Sequence, residues 1–118
     1  MNKDDIHRSI IDAMLSMAKG TELIISMMNG EEIILGSNAV PLIFNDVGQT
    51  MNIGDDTTGV LTILNLEQVA FVKYSVPKKG ERSNIQNVLD NLRKMADDEN
   101  YSKAMMLLRK MFSCEGDE

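Results

Sequence analysis

The fold of this chain is best predicted from an Asn-Gly dipeptide that lies between two apolar runs. Residues 23–28 and 33–35 are mostly apolar, and Asn29-Gly30 lies between them. Both residues of this dipeptide accept the positive φ angles of a type I′ turn, the commonest tight connection between two antiparallel strands. We therefore predict a β-hairpin with strands at residues 22–28 and 31–36.

Further apolar segments predict three more strands of the same small sheet, at residues 40–45, 60–64 and 68–74. Pro41 has no N–H to donate, so the third strand either begins there or lies at an edge. Residues 46–59 contain three glycines and are typical of a loop, within which residues 50–53 suit a short additional strand. If residues 50–53 are not counted as a strand, the sequence predicts five strands in one strongly bent sheet.

Apolar residues recur at helical spacing in three segments, which predicts helices at residues 3–19, 84–96 and 101–112. Ser83 and Gln86 have the spacing of a capping box at the start of the second helix. The acidic run 97–100 separates the last two helices, which we expect to form a helical hairpin. The fold class is thus α+β, mainly β with helices. Residues 1–77 would form one unit, and residues 78–118 the helical hairpin and a frayed acidic tail.

The net charge of −6 is unevenly distributed along the chain. Residues 21–77 contain seven acidic residues and a single basic residue, Lys73, whereas the segments on either side are balanced. Lys and Arg bind the phosphates of nucleic acids, so the acidic sheet is a poor candidate for such binding. A positive patch could form only in the C-terminal part. Its candidate residues are Lys78, Lys79, Arg82, Lys103, Arg109 and Lys110.

The sequence argues against most kinds of catalytic or cofactor site. The chain has one histidine, His7, and no G-x-S-x-G, P-loop or G-x-G-x-x-G motif, so we predict no catalytic residue, no cofactor and no metal. Asp55-Asp56 lies in a glycine-flanked loop but lacks the ligand spacing of a calcium loop. A small metal-dependent enzyme would require a cleft that gathers Asp46, Asp55, Asp56 and His7.

The cellular location is predicted from the single cysteine and from the absence of a targeting signal. Cys114 cannot form an internal disulfide or a cysteine-based zinc site, which favours a reducing compartment. The N-terminal residues MNKDD do not resemble a signal peptide, and no apolar run approaches the length of a membrane span. We therefore expect a cytoplasmic protein without a membrane segment.

An N-terminal helix at residues 10–19, the hairpin with its Asn-Gly turn, and strands at 60–64 and 68–74 followed by Pro77 together resemble the Sm-like family. The nearest pattern is that of its bacterial RNA-chaperone branch, Hfq, and other SH3-like barrels are similar. The resemblance covers residues 6–77 and implies a small Sm-like or SH3-like barrel that forms rings or other oligomers. The family's Tyr-Lys-His signature is replaced here by Asn65-Leu66-Glu67, so the resemblance implies no RNA-binding residue.

A barrel of this size cannot bury three apolar helical faces in its interior, so some of them must pack on the outside of the barrel, on each other or on another subunit, and we predict self-association. The candidate interaction residues are Met14, Met17, Leu108, Met111 and Phe112. The leading hypothesis is a non-enzymatic module for oligomerisation and protein interaction, with a homo-oligomer as the expected state and a further protein partner possible. The alternative is an Sm-like RNA-binding protein that uses the basic residues of its C-terminal part. The metal-dependent enzyme is the third hypothesis.

Overall fold

A computed structural model describes residues 3–43 and 49–113 of the chain. Within these residues the protein is α+β, with three helices and two three-stranded antiparallel sheets. The helices are α1 (Lys3–Ser16), α2 (Ile85–Met95) and α3 (Asp98–Ser113). The strands are β1 (Leu23–Met27), β2 (Glu32–Leu35), β3 (Ala39–Ile43), β4 (Thr50–Asp55), β5 (Leu61–Asn65) and β6 (Val69–Tyr74), and a 3-10 turn at Leu66–Gln68 joins β5 to β6.

The predicted hairpin is present as β1 and β2, but its turn is one residue longer than a type I′ turn. Ser26 pairs with Glu32, and the Met27 N–H donates to the Glu31 carbonyl at 2.8 Å, so three residues connect the strands. Gly30 has a φ of +95° and donates its N–H to the Met27 carbonyl at 3.0 Å. This is the three-residue hairpin connection in which a glycine occupies the left-handed position.

The prediction of five strands in a single sheet was wrong, because residues 3–43 and 49–113 contain six strands in two sheets. The strand orders are β2-β1-β6 and β3-β4-β5, and no strand pairing joins the two sheets within the described residues. The chain turns at residues 36–38, where the Ala39 N–H donates to the Gly36 carbonyl at 3.2 Å, and this turn separates β2 from β3. The closed barrel predicted from the sequence is therefore not seen.

The loop predicted at residues 46–59 contains β4, a full strand rather than a short addition. Asn52 and Gly54 lower its intrinsic strand propensity. Pairing with β3 on one side and β5 on the other overrides that preference, and it buries Met51 and Ile53 at 1% exposure each. Residues 44–48, which include the end of the predicted third strand and Asp46, lie outside the described residues.

Pro41 lies on an edge strand, as the sequence predicted. The Asp56 N–H donates to the Asn38 carbonyl at 3.1 Å, so by alternation Val40 faces β4 and Pro41 faces away from it. The absent N–H of Pro41 is thus on the open side of β3, where no ladder hydrogen bond is lost.

One hydrophobic core contains residues from both sheets and from all three helices. Ile10 of α1, Ile25 of β1 and Met51 of β4 are at most 1% exposed. The C-terminal helices add Val88, Leu92, Ala104 and Leu108 to the same core. Both helices therefore dock on the sheets of their own chain.

Asn84 connects α1 to α2, and the predicted capping box does not form. Ser83 forms a bridge with Ala18, and the Gln86 side chain donates to Asp90. The fully buried Asn84 donates its backbone N–H to the Met17 carbonyl at 2.9 Å and its side-chain Nδ2 to the Met14 carbonyl at 3.3 Å. Carbonyls at the end of a helix lack partners within that helix, so Asn84 satisfies two of those at the end of α1.

Gly54 of β4 leaves room for the side chains of Leu42 in β3 and Met95 in α2. A Cβ atom at this position would lie 2.6 Å from Leu42 Cδ1 and 3.1 Å from Met95 Cε. These atoms are the ends of flexible side chains, so we expect alanine to be tolerated. We expect valine to overpack the site and to lower the free energy of unfolding by about 1 to 3 kcal/mol.

Urea denaturation of Gly54→Ala and Gly54→Val tests this packing. Ala70→Val, at an exposed position of β6, is the control for adding a branched side chain to a strand. Equal stability of Gly54→Val and the control would show that Leu42 and Met95 do not crowd this position.

Candidate interaction surface

The outer part of β5 carries the main exposed apolar stretch of the two sheets. Val60, Leu61 and Ile63 are 59%, 48% and 63% exposed, within a span of four residues. The neighbouring Leu64 is 1% exposed and belongs to the core. The strand therefore alternates along its length, but its solvent side is as apolar as its core side.

The backbone of β5 has hydrogen-bonding groups that point away from its sheet. The Asp55 N–H donates to the Val60 carbonyl at 3.0 Å, and the Leu66 N–H donates to the Gln49 carbonyl at 2.7 Å. Hydrogen-bonded and outward-facing residues alternate along an antiparallel strand. The even-numbered residues of β5 therefore bond to β4, and the N–H and C=O groups of Leu61, Ile63 and Asn65 face the other edge. No strand of the described chain pairs with that edge.

Of the four sheet edges in the described chain, only the β5 edge has no charged residue or proline that would hinder the addition of a strand. Charged residues and prolines on edge strands discourage pairing with another chain. The β2 edge has Glu31 and Glu32, the β6 edge has Lys73, and the β3 edge has Pro41. Residues 57–66, which contain all of β5, include no charged residue.

Short-range hydrogen bonds hold both ends of β5 in place. The Asp55 carboxylate accepts from the backbone N–H groups of Thr57 and Thr58 at 2.8 and 2.9 Å. The Asp56 carboxylate lies 3.6 Å from Lys94 Nζ, which links this turn to α2. At the other end, the Asn65 side chain accepts from the Glu67 N–H at 3.1 Å. The position of β5 is thus fixed by the residues on either side of it.

A groove of about 260 Å³ lies between the open side of β2 and the strands β4 and β5. Ile34 and Leu35 line it on the β2 side, and Ile53, Val60 and Thr62 line it on the other. Val60 and Thr62 alternate with Leu61 and Ile63 along the chain, so the groove lies on the opposite face of the strand from Leu61 and Ile63.

The basic residues predicted as a positive patch are spread over several parts of the C-terminal region. Lys78, Lys79 and Arg82 are exposed in the connection between β6 and α2. Lys103 Nζ lies 3.3 Å from a Glu99 carboxylate oxygen. Arg109 is exposed six positions further along α3, about 120° around the helix. The side chain of Lys110 lies outside the described residues.

The residues predicted for self-association are mostly core residues. Met14, Met17 and Leu108 are 1%, 1% and 3% exposed, because sheets and helices of the same chain cover them. They offer no accessible surface in this fold. The side chains of Met111 and Phe112 lie outside the described residues. Sequence reasoning predicted the strand at residues 60–64 but not its edge as an interaction surface, although the uncharged run at residues 57–66 was a usable signal.

The structure gives no support to the cluster required by the third hypothesis. Asp46 lies outside the described residues, and Asp55 is engaged in the turn before β5. In the part of the chain that the structure describes, no three His, Cys, Asp or Glu side chains are grouped so that they could hold a metal ion. Among residues 3–43 and 49–113, no helix is long and apolar enough to span a membrane.

Comparisons with protein-family models, with curated proteins and with solved structures find no match for this chain.

Proposed function

We propose that the chain is a non-enzymatic module for oligomerisation and protein interaction, and that it associates by adding a strand to the edge of β5. The observation that carries this proposal is the uncharged, apolar and unpaired β5 edge. Strand addition supplies affinity through main-chain hydrogen bonds and selectivity through alternate side chains. Leu61, Ile63 and Asn65 provide the main-chain groups, and the first two also provide apolar contacts.

The topology supports a further proposal about the fold, namely an open SH3-like or Sm-like arrangement. β2 and β3 follow one another with only residues 36–38 between them, and each lies at an edge of a different sheet. They can be viewed as two halves of one strongly bent strand that passes from the first sheet to the second. In such an arrangement the β5 edge remains available to another chain.

The association is expected to be of moderate strength. Complete burial of an aliphatic side chain stabilises by about 1.5 to 3 kcal/mol. Val60, Leu61 and Ile63 are already about half buried, so completing their burial would contribute about 3 to 5 kcal/mol. Backbone hydrogen bonds of the added strand contribute as well, whereas association itself costs at least about 4 kcal/mol. The net affinity is therefore modest, and assembly is expected only at tens of micromolar or above.

The substitution Ile63→Lys tests the proposal. It places a charge among the exposed apolar side chains without removing a core residue, since Ile63 is 63% exposed. At tens of micromolar, light scattering should give an oligomer for the wild-type chain and a monomer for the variant. Val76→Lys is the matched control, because Val76 is 66% exposed and lies outside β5. Equal masses for the wild-type chain and Ile63→Lys would contradict the proposal.

A further inference from the structure

We infer that the strand added to β5 is the β5 strand of a second copy, antiparallel to the first and related to it by a two-fold axis, with Leu61 opposite Ile63 of the second copy. The inference rests on the proposed association through β5. It goes beyond that proposal by naming the partner strand, the symmetry and the register. The result would be a continuous six-stranded sheet made from the sheet β3-β4-β5 of each copy.

The hydrogen-bonding pattern of β5 restricts the possible registers. Outward-facing groups belong to Leu61, Ile63 and Asn65, so an added antiparallel strand must place such residues opposite each other. If Ile63 faced Ile63 of the second copy, each Leu61 would lie opposite a polar Asn65. If Leu61 faces Ile63 instead, four aliphatic side chains form one cluster across the axis. Thr62 then lies opposite Thr62 of the second copy, at the two-fold axis.

The charges of the chain are compatible with this register. Two copies, each with a net charge of −6, repel each other unless the acids are kept away from the shared edge. With Leu61 opposite Ile63, Glu67 lies opposite Thr57 and Asp56 lies opposite Gln68. The acids at the two ends of β5 are therefore not paired with each other. The uncharged run at residues 57–66 is long enough to cover the whole contact.

Pairing of β5 with the β6 edge of another copy suits the side chains less well. The Met28 N–H donates to the Gln68 carbonyl at 2.7 Å, and the Met27 N–H donates to the Glu31 carbonyl at 2.8 Å on the opposite side of β1. Ile24 and Ser26 face β6 and pair with Lys73 and Phe71, so the backbone groups of Val72 and Tyr74 lie on the open edge of β6. The exposed side chains of β5 would then lie beside Val72 and Tyr74, which pack against the core of their own chain.

Disulfide formation by Thr62→Cys in a Cys114→Ser background tests this register. Thr62 would face Thr62 of the second copy at a non-hydrogen-bonded position, where the two Cα atoms are about 4.5 Å apart. That separation lies within the range that a disulfide spans. Oxidised glutathione accepts the two electrons as the two thiols form the bond. We expect at least a tenfold larger cross-linked fraction than for Val76→Cys in the same background, with the band lost on reduction.

A second pair of variants makes the test independent of the folding of Thr62→Cys. Leu61→Cys and Ile63→Cys, both in the Cys114→Ser background, should form a cross-linked heterodimer when the two chains are mixed. Each chain alone should give little cross-linked product, because cysteines at identical positions are then not opposite each other.

The outcomes separate the inference from the proposal on which it rests. If Ile63→Lys lowers the mass but neither cysteine design cross-links, the two-fold register is overturned and association through β5 stands. A wild-type mass well above that of two copies would also overturn the inference. If Ile63→Lys leaves the mass unchanged, the proposed function and the inference both fail.

Discussion

Substitution of Leu92 by alanine is expected to lower the free energy of unfolding by about 2 to 5 kcal/mol. Leu92 lies in α2, has an exposed fraction of 0%, and belongs to the same core as residues of both sheets. The loss combines the transfer free energy of the removed carbons with the cavity that the rigid surroundings leave unfilled. Urea denaturation followed by circular dichroism measures the change.

The control for this prediction is Met106→Ala in the neighbouring helix. Met106 is 69% exposed, so its truncation should change the free energy of unfolding by no more than about 0.5 kcal/mol. If Leu92→Ala changed the free energy of unfolding as little as the control does, α2 would not share a core with the sheets.

Substitution of Asn84 by aspartate is expected to destabilise the chain by about 3 to 5 kcal/mol at neutral pH. Asn84 is 0% exposed, and its side-chain Nδ2 donates to the Met14 carbonyl. Its Oδ1 has no hydrogen-bond partner among the described residues. An ionised carboxylate has no N–H to donate to the Met14 carbonyl, and its position at the start of α2 would offset only part of the cost of burying the charge.

The effect of Asn84→Asp should depend on pH in a defined direction. Burial raises the pKa of a carboxyl group in the folded state above its unfolded value of about 3.9. The folded state then holds the proton at pH values where the unfolded state has lost it, so the stability of the variant relative to wild type falls as pH rises above about 4. Below that pH the protonated carboxyl can donate to Met14, and most of the difference should disappear.

Denaturation of wild type and Asn84→Asp at pH 3.5 and pH 7 measures this dependence. Asn65→Asp is the matched control, because Asn65 is exposed and its side chain accepts a hydrogen bond, as a carboxylate also can. A difference between Asn84→Asp and wild type that is the same at both pH values would show that position 84 is not buried at the helix junction.

Local sequence patterns identified most of the elements but not all of their ends. The hairpin at β1 and β2 follows from Asn29-Gly30, yet the same dipeptide suits both a two-residue and a three-residue connection. Here the Asn29 side chain accepts from the Glu31 N–H at 3.0 Å, which extends the loop by one residue. β4 was largely missed because Asn52 and Gly54 disfavour a strand locally. Its formation depends on pairing with strands on both sides.

The candidate surface depends on long-range order that a sequence pattern does not contain. Helical spacing indicated that Met14, Met17 and Leu108 lie on apolar helix faces that must be buried. It did not show whether the same chain or another chain buries them. The Leu61 and Ile63 side chains are exposed because they point away from the core face that holds Leu64, and their backbone groups are unpaired because β5 is the last strand of its sheet. Strand order is set by pairings between distant segments. The uncharged run at residues 57–66 is the local sequence feature that accompanies this unpaired edge.

Amide hydrogen exchange of β5 at two protein concentrations tests association through this edge most directly. The N–H groups of Thr62 and Leu64 bond to β4 and should be protected at every concentration. The N–H groups of Leu61 and Ile63 face the open edge, so they should exchange rapidly in dilute protein and become protected at tens of micromolar or above. Rapid exchange of Leu61 and Ile63 at all concentrations would contradict the proposal that β5 is the surface through which this chain associates.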